Sequence, residues 1–310
     1  MFDMPVVIQK LRVTSLLMAL LLTLTACAVP GNIVDGDLPP SKMIESSDLQ
    51  DVRDQAEQLA RLVGKEQVLI VYDLDNTILA MEQDLGSDQW YYWQKDLQTA
   101  DRCDPRVVTD RLAAQGALLF ASAMRLTQAD GPAIVRSLQN QGFKSIILTS
   151  RGPDFAAMSF RELRRNQFDF RASAIGFADN RVLVFKPKED SRATRYEDGV
   201  YLTAGQHKGE MLLALLDKTN TAQPRAIVMV DDKVENLQHV LDAFANTTTS
   251  VQALRYNRED AIVAAFDGEQ TVAEWAQAEP ALLQLQAVFG SDNFQLPAHA
   301  RPEGCPSVQP

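Results

Sequence analysis

Val68-Leu69-Ile70-Val71-Tyr72-Asp73-Leu74-Asp75-Asn76-Thr77 opens with five apolar residues and turns polar at once. An unbroken apolar run of that length reads as a strand buried on both faces, as in parallel sheets. Two later stretches repeat the pattern. Residues 146–148 are apolar and end in Thr149-Ser150-Arg151, and residues 227–230 are apolar and end in Asp231-Asp232-Lys233. Helical stretches lie between and around them. Residues 47–63 space Leu49, Val52, Ala56, Leu59, Ala60 and Val63 as an amphipathic helix that Gly64 ends. Further helices are expected over 105–124, 132–141, 155–166, 208–218 and 234–244. Strands alternating with helices predict an α/β fold, with a mostly parallel sheet flanked by helices. Ligands of such sheets bind at the carboxyl ends of the strands, and here all three buried strands end in carboxylates or hydroxyls.

Two regions depart from the alternation. Residues 79–130 form a long insertion holding Trp90, Tyr91, Tyr92 and Trp93, an aromatic cluster that either walls a leaving group or, as the favoured reading, packs the insertion against the core. Asp88 beside it is an alternative group for the mouth of a site. Residues 173–205 offer short strands at 182–185 and 200–203 around a charged loop. The organisation read is a leader at 1–26, a tether at 27–46, a main domain at 47–295 and an irregular tail at 296–310. In 310 residues, 46% hydrophobic and 23% charged residues leave room for a sizeable core. A net charge of −11 argues against a nucleic-acid partner, which needs an excess of Lys and Arg.

The chemistry starts with Asp73 and Asp75. Two carboxylates two residues apart in an extended turn reach one small space, where one attacks phosphorus and the other handles the leaving-group proton. Mg²⁺, which prefers carboxylate oxygens with water and phosphate, relieves their repulsion. A calcium loop fails because Ile78 stands where its turn needs Gly. Thr149 offers a hydroxyl, with Ser150 as the alternative if the strand end shifts by one residue. The helix start that follows offers N–H groups for a phosphate oxygen. Lys208 offers a positive charge for the same group, and Asp231 and Asp232 offer further metal oxygens. Zinc and serine–histidine chemistry lack support, because His207, His239 and His299 show no ligand spacing.

Taken in order, Asp73-Leu74-Asp75-Asn76-Thr77, Thr149, Lys208 and Asp231-Asp232 resemble the four motifs of the haloacid dehalogenase superfamily, over residues 68–245. Leu85-Gly86-Ser87-Asp88-Gln89-Trp90 further resembles a bacterial lipoprotein branch of it. The resemblance implies a Rossmann-like core with a small helical cap inserted after the first motif. It implies a Mg²⁺-dependent phosphomonoesterase acting on a small phosphate ester. Asp73 would form an aspartyl-phosphate, and Asp75 would protonate the leaving alcohol and then activate water. Asp232 would hold Mg²⁺ with the Asp73 carboxylate and the Asp75 carbonyl, Asp231 being the neighbour that competes for that role. Asn236 would orient that shell, and Thr149 and Lys208 would hold phosphoryl oxygens. Arg151 meets either a substrate anion or a carboxylate. A catalytically idle binding or regulatory protein with the same fold is the alternative.

Lys10 and Arg12 precede an apolar run at 16–24 that ends in Leu24-Thr25-Ala26-Cys27, which resembles a bacterial lipobox. The resemblance implies a lipidated Cys27 and membrane anchoring in the cell envelope. Ala28 rather than Asp after the cysteine implies an outer-membrane protein facing the periplasm. There Cys103 and Cys305 either pair or stay free.

Overall fold

The computed structural model describes residues 37–176, 181–290 and 305. Strand β1 (Lys42–Ser46) precedes helix α1 (Gln50–Val63), which buries Val52, Ala56, Leu59 and Val63 along one stripe. Strand β2 (Val68–Tyr72) has all five residues buried. Then come β3 (Leu79–Met81), α2 (Asp88–Ala100), α3 (Arg111–Ala121), β4 (Met124–Leu126), α4 (Gly131–Gln141), β5 (Lys144–Thr149) and α5 (Ala156–Arg165). Strands β6 (Leu183–Phe185), β7 (Thr194–Glu197) and β8 (Val200–Leu202) lead to α6 (Lys208–Lys218), β9 (Ala226–Asp231) and α7 (Val234–Phe244). The chain continues through β10 (Ser250–Tyr256), α8 (Asp260–Ala264) and α9 (Gly268–Phe289).

Eight strands form one sheet in the order β1-β10-β9-β2-β5-β8-β7-β6. The first six pair in parallel, and β7 and β6 complete the far edge antiparallel. The α/β fold with a mostly parallel sheet is therefore present. Strands β6, β7 and β8 widen that sheet. One apolar layer joins α1, α4 and α5 to one face, and a second joins α6 and α7 to the other. Central β2 lies between β9 and β5, with Tyr72 in register with both Val230 and Ile147. That order brings the carboxyl ends of all three strands together.

Between β3 and β4, which pair as an antiparallel stalk, the insertion is helical. Its first helix α2 starts at Ser87, whose side chain accepts the Trp90 N–H. The expected helix over 105–124 is shorter, because Asp110 caps α3 by accepting from Ala113 N–H and residues 101–110 are turns. The aromatic cluster divides. Trp90 is fully buried and packs 6.3 Å from Trp275 of α9, while Trp93 lies 6.1 Å from Phe266. Gly268 begins α9 where any Cβ would strike the Trp93 indole. Leu85, Val108, Ala114, Leu118 and Leu282 complete this small core.

Strand β1 corrects the reading of 27–46 as a tether: Lys42–Ser46 pairs with Gln252–Tyr256 at the sheet edge. The leader, the lipidation site Cys27, the tether up to residue 36 and His299 lie outside the described residues, as does the tail apart from Cys305. Cys305 is bonded to Cys103, Cα to Cα 5.3 Å, closing 202 residues of separation. A cross-link over so long a loop removes much unfolded-state entropy. Reducing it, or making Cys103→Ser, is expected to lower the unfolding free energy by about 2–4 kcal/mol. Thermal unfolding with and without a reductant measures this, and an unchanged melting temperature would count against it.

Candidate functional site

Each functional side chain comes from a strand end or the turn after it. Backbone pairing runs one residue past β2, where Asp73 N–H donates to Val230 O at 2.9 Å. The chain then turns through Asn76 at φ 56°, a left-handed value that Asn tolerates better than most residues. Thr77 Oγ1 donates to Asp73 Oδ2 at 3.1 Å and accepts from Asp232 N–H at 3.0 Å. One hydroxyl thus ties the turn after β2 to the turn after β9.

Lys208, wholly buried, reaches in from the first turn of α6. Its Nζ lies 2.5 Å from Asp73 Oδ1 and 2.6 Å from Asp231 Oδ2. The helix can come this close because Gly209 faces α7 without a side chain, and a Cβ there would lie 2.0 Å from His239 O. Asp231 Oδ1 accepts from Lys233 N–H at 2.9 Å and Asn236 Nδ2 at 3.0 Å. Asn236 therefore orients Asp231 rather than Asp232.

Asp73, Asp231 and Asp232 each offer an oxygen within 4.8 Å of the others, an acidic cluster able to hold a metal ion. Asp231 has donors on both oxygens, whereas the half-buried Asp232 carboxylate receives no hydrogen bond among the described residues, which leaves it open to a cation. Burial raises the Asp73 carboxyl to about 7; Lys208 opposes the rise, while Asp231 and Asp75 add to it. Burial, then Asp73 and Asp231, push Asp232 well above the carboxylate range. Burial pulls the Lys208 ammonium down, but Asp231 and Asp73 more than offset it and leave it raised. Three carboxylates against one ammonium leave negative charge that a divalent cation would neutralise.

The Asp75 carboxylate is not in this cluster. Arg151 grips it with Nη2 on Oδ1 at 2.7 Å and Nε on Oδ2 at 2.9 Å, and Ser159 Oγ accepts from Arg151 Nη1 at 3.0 Å. Arg151 thus forms an ion pair with a carboxylate. Thr149 is buried with its Oγ1 accepting Arg151 N–H at 3.2 Å, and Ser150 is exposed. His207 caps α6 and stacks on His239 with ring centroids 3.7 Å apart, outside the acidic cluster. From the cap, Asp88 Oδ2 meets Lys233 Nζ at 2.7 Å, and that ammonium lies 3.9 Å from the centre of the Tyr92 ring. Lys233, Ser159 and Thr77 are the members that sequence reasoning did not assign. Thr77 sat inside the first motif and was the readable one.

The profile of the family described as "Protein of unknown function (DUF2608)" matches residues 45–287, most of the chain and every residue of this site. The chain belongs to the DUF2608 family. No curated protein matches it. Among solved structures, "The crystal structure of a hydrolase from Pseudomonas syringae" is similar at 16% identity and a TM-score of 0.32. The match covers 59% of this chain and 82% of that one, a likeness too slight to bear on activity. The family match spans the cap as well as the sheet, so the insertion belongs to the matched region.

Proposed function

We propose that this chain is a Mg²⁺-dependent phosphomonoesterase of the haloacid dehalogenase type. The observation that carries the reading is Lys208 bridging Asp73 and Asp231 while Asp232 lies open beside them. Asp73, Asp232 and Asp231 are the residues that would hold Mg²⁺. When bound, the ion would neutralise phosphoryl charge and hold the ester in place. Asp73 attacks phosphorus through a carboxylate oxygen, the ester P–O bond breaks, and the leaving alkoxide takes a proton from Asp75. Asp75 then takes a proton from water as it attacks the aspartyl-phosphate, which releases inorganic phosphate and restores the Asp73 carboxylate. Lys208 and the Thr149 loop stabilise phosphoryl oxygens, where charge spreads in the transition state.

The substrate is a small phosphate ester, with no nucleic acid involved. Lipidation at Cys27 would hold the protein in the bacterial envelope, on the outer membrane facing the periplasm. The Cys103–Cys305 bond supports an oxidising compartment. One observation favours the second reading, a catalytically idle binding or regulatory protein: both Asp75 oxygens are taken up by Arg151.

The two readings separate in one assay of phosphate release from a panel of monoesters. Turnover is expected with Mg²⁺, lost in EDTA and restored by excess Mg²⁺. No turnover on any ester, or turnover indifferent to EDTA, would overturn the phosphatase and leave the binding protein.

A further inference from the structure

Five carboxylates and three cations gather at the ends of β2, β5 and β9, Asp73, Asp75, Asp88, Asp231 and Asp232 against Lys208, Arg151 and Lys233, while Arg255 at the end of β10 is matched by Asp260 at 2.8 Å. Each cation already has a carboxylate. Lys208 is held by Asp73 and Asp231, Arg151 by both oxygens of Asp75, and Lys233 by Asp88. Lys95 adds only a 5.8 Å contact to the Tyr92 ring. With every carboxylate ionised, the excess is two negative charges. A divalent cation cancels it, and the phosphoryl group of a monoester brings two back.

The cap decides what remains for the leaving group. Asp88 opens helix α2 and sets its carboxylate on Lys233, the residue that follows Asp232 in the chain, at 2.7 Å. By pairing with Lys233, Asp88 occupies an ammonium beside the acidic cluster that could otherwise meet a second anionic group. We infer that this site selects phosphate monoesters whose leaving group is neutral or cationic, such as a polyol, sugar or amino alcohol. Bisphosphates, phosphorylated carboxylic acids and nucleoside polyphosphates are rejected, and Asp88 is the specificity-determining residue. This rests on the phosphomonoesterase reading.

The test compares two esters of nearly the same shape, glycerol 3-phosphate and 3-phosphoglycerate, on the full chain with Mg²⁺. Like charges a few ångströms apart near a protein surface repel enough to expect a preference in kcat/KM of about tenfold or more for glycerol 3-phosphate. The preference should shrink at high salt. Asp88→Asn releases Lys233 and is expected to lower KM for 3-phosphoglycerate and erase most of the preference; Lys233→Met, which supplies no cation, is not. Equal or better use of 3-phosphoglycerate by the unaltered chain, or a preference unmoved by Asp88→Asn, would overturn the inference. If p-nitrophenyl phosphate is hydrolysed while 3-phosphoglycerate is preferred, only the selectivity is wrong. If no ester is hydrolysed, the phosphatase reading falls and the selectivity with it.

Discussion

Asp73→Asn is expected to abolish phosphate release while leaving the fold at least as stable as before. Asn keeps the shape of the side chain and an oxygen for Lys208, but it has no anionic oxygen to attack phosphorus. Loss of a nucleophile costs about 10⁴-fold or more in turnover. The stability effect has the opposite sign. Asp73 is buried, and its carboxyl is raised from 3.8 to about 7 by that burial, with Asp231 and Asp75 adding and Lys208 opposing. Between those two values the folded chain binds a proton that the unfolded chain has released. Stability therefore falls as pH rises through about 7, where Asp73 must ionise inside the fold. Asn removes that cost. In EDTA the variant and the unaltered chain should melt together near pH 4, and the variant should melt higher at pH 8. A variant that melts lower at pH 8 would mean that the Asp73 carboxylate is a net stabiliser even without a metal ion.

Lys208→Met acts on the same cluster from the other side. It removes the ammonium from Asp73 and Asp231, both buried, and puts an apolar side chain against them. Breaking a buried ion pair by deleting one partner costs about 3–5 kcal/mol, because the remaining charge is left uncompensated. Denaturant unfolding in EDTA should show that loss. Millimolar Mg²⁺ should restore part of it, since an ion bound only by the folded chain stabilises that state. Turnover should stay low in Mg²⁺, because phosphoryl charge still lacks its Lys partner. An unfolding midpoint unchanged in EDTA would contradict the charge arrangement on which both predictions rest.

The strands that carry the site were legible because burial on both faces leaves a local mark. Strands β2, β5 and β9 each show an unbroken apolar run, and their polar ends follow at the next position. Strand β10 is nearly as buried, yet Gln252 and Arg255 interrupt its pattern, and it went unread. Strand β1 is a five-residue edge strand beginning with Lys42 and exists as a strand through its pairing with β10. Helix α9 carries Pro280 inside it, and only Thr271 and Leu282 are fully buried, so its periodicity is faint. The site divides the same way. Asp73, Lys208, Asp231 and Asp232 could be read from their own neighbourhoods. The pairs Arg151–Asp75 and Lys233–Asp88 join positions 76 and 145 residues apart. Nothing local to either partner says which carboxylate a given cation will meet.

The cap draws its apolar core from two distant parts of the chain, with Trp90 and Trp93 on one side and Trp275, Phe266 and Leu282 on the other. The sheet edge is built alike, since β1 has no partner until β10 exists. Contacts between remote segments form late, because closing the intervening loop must be paid for first. In a chain made from its amino end, the acids and Lys208 can meet before α9 emerges, but the cap cannot close. The apolar core of the insertion is therefore incomplete without α9, and the Cys103–Cys305 bond ties the same insertion to residue 305.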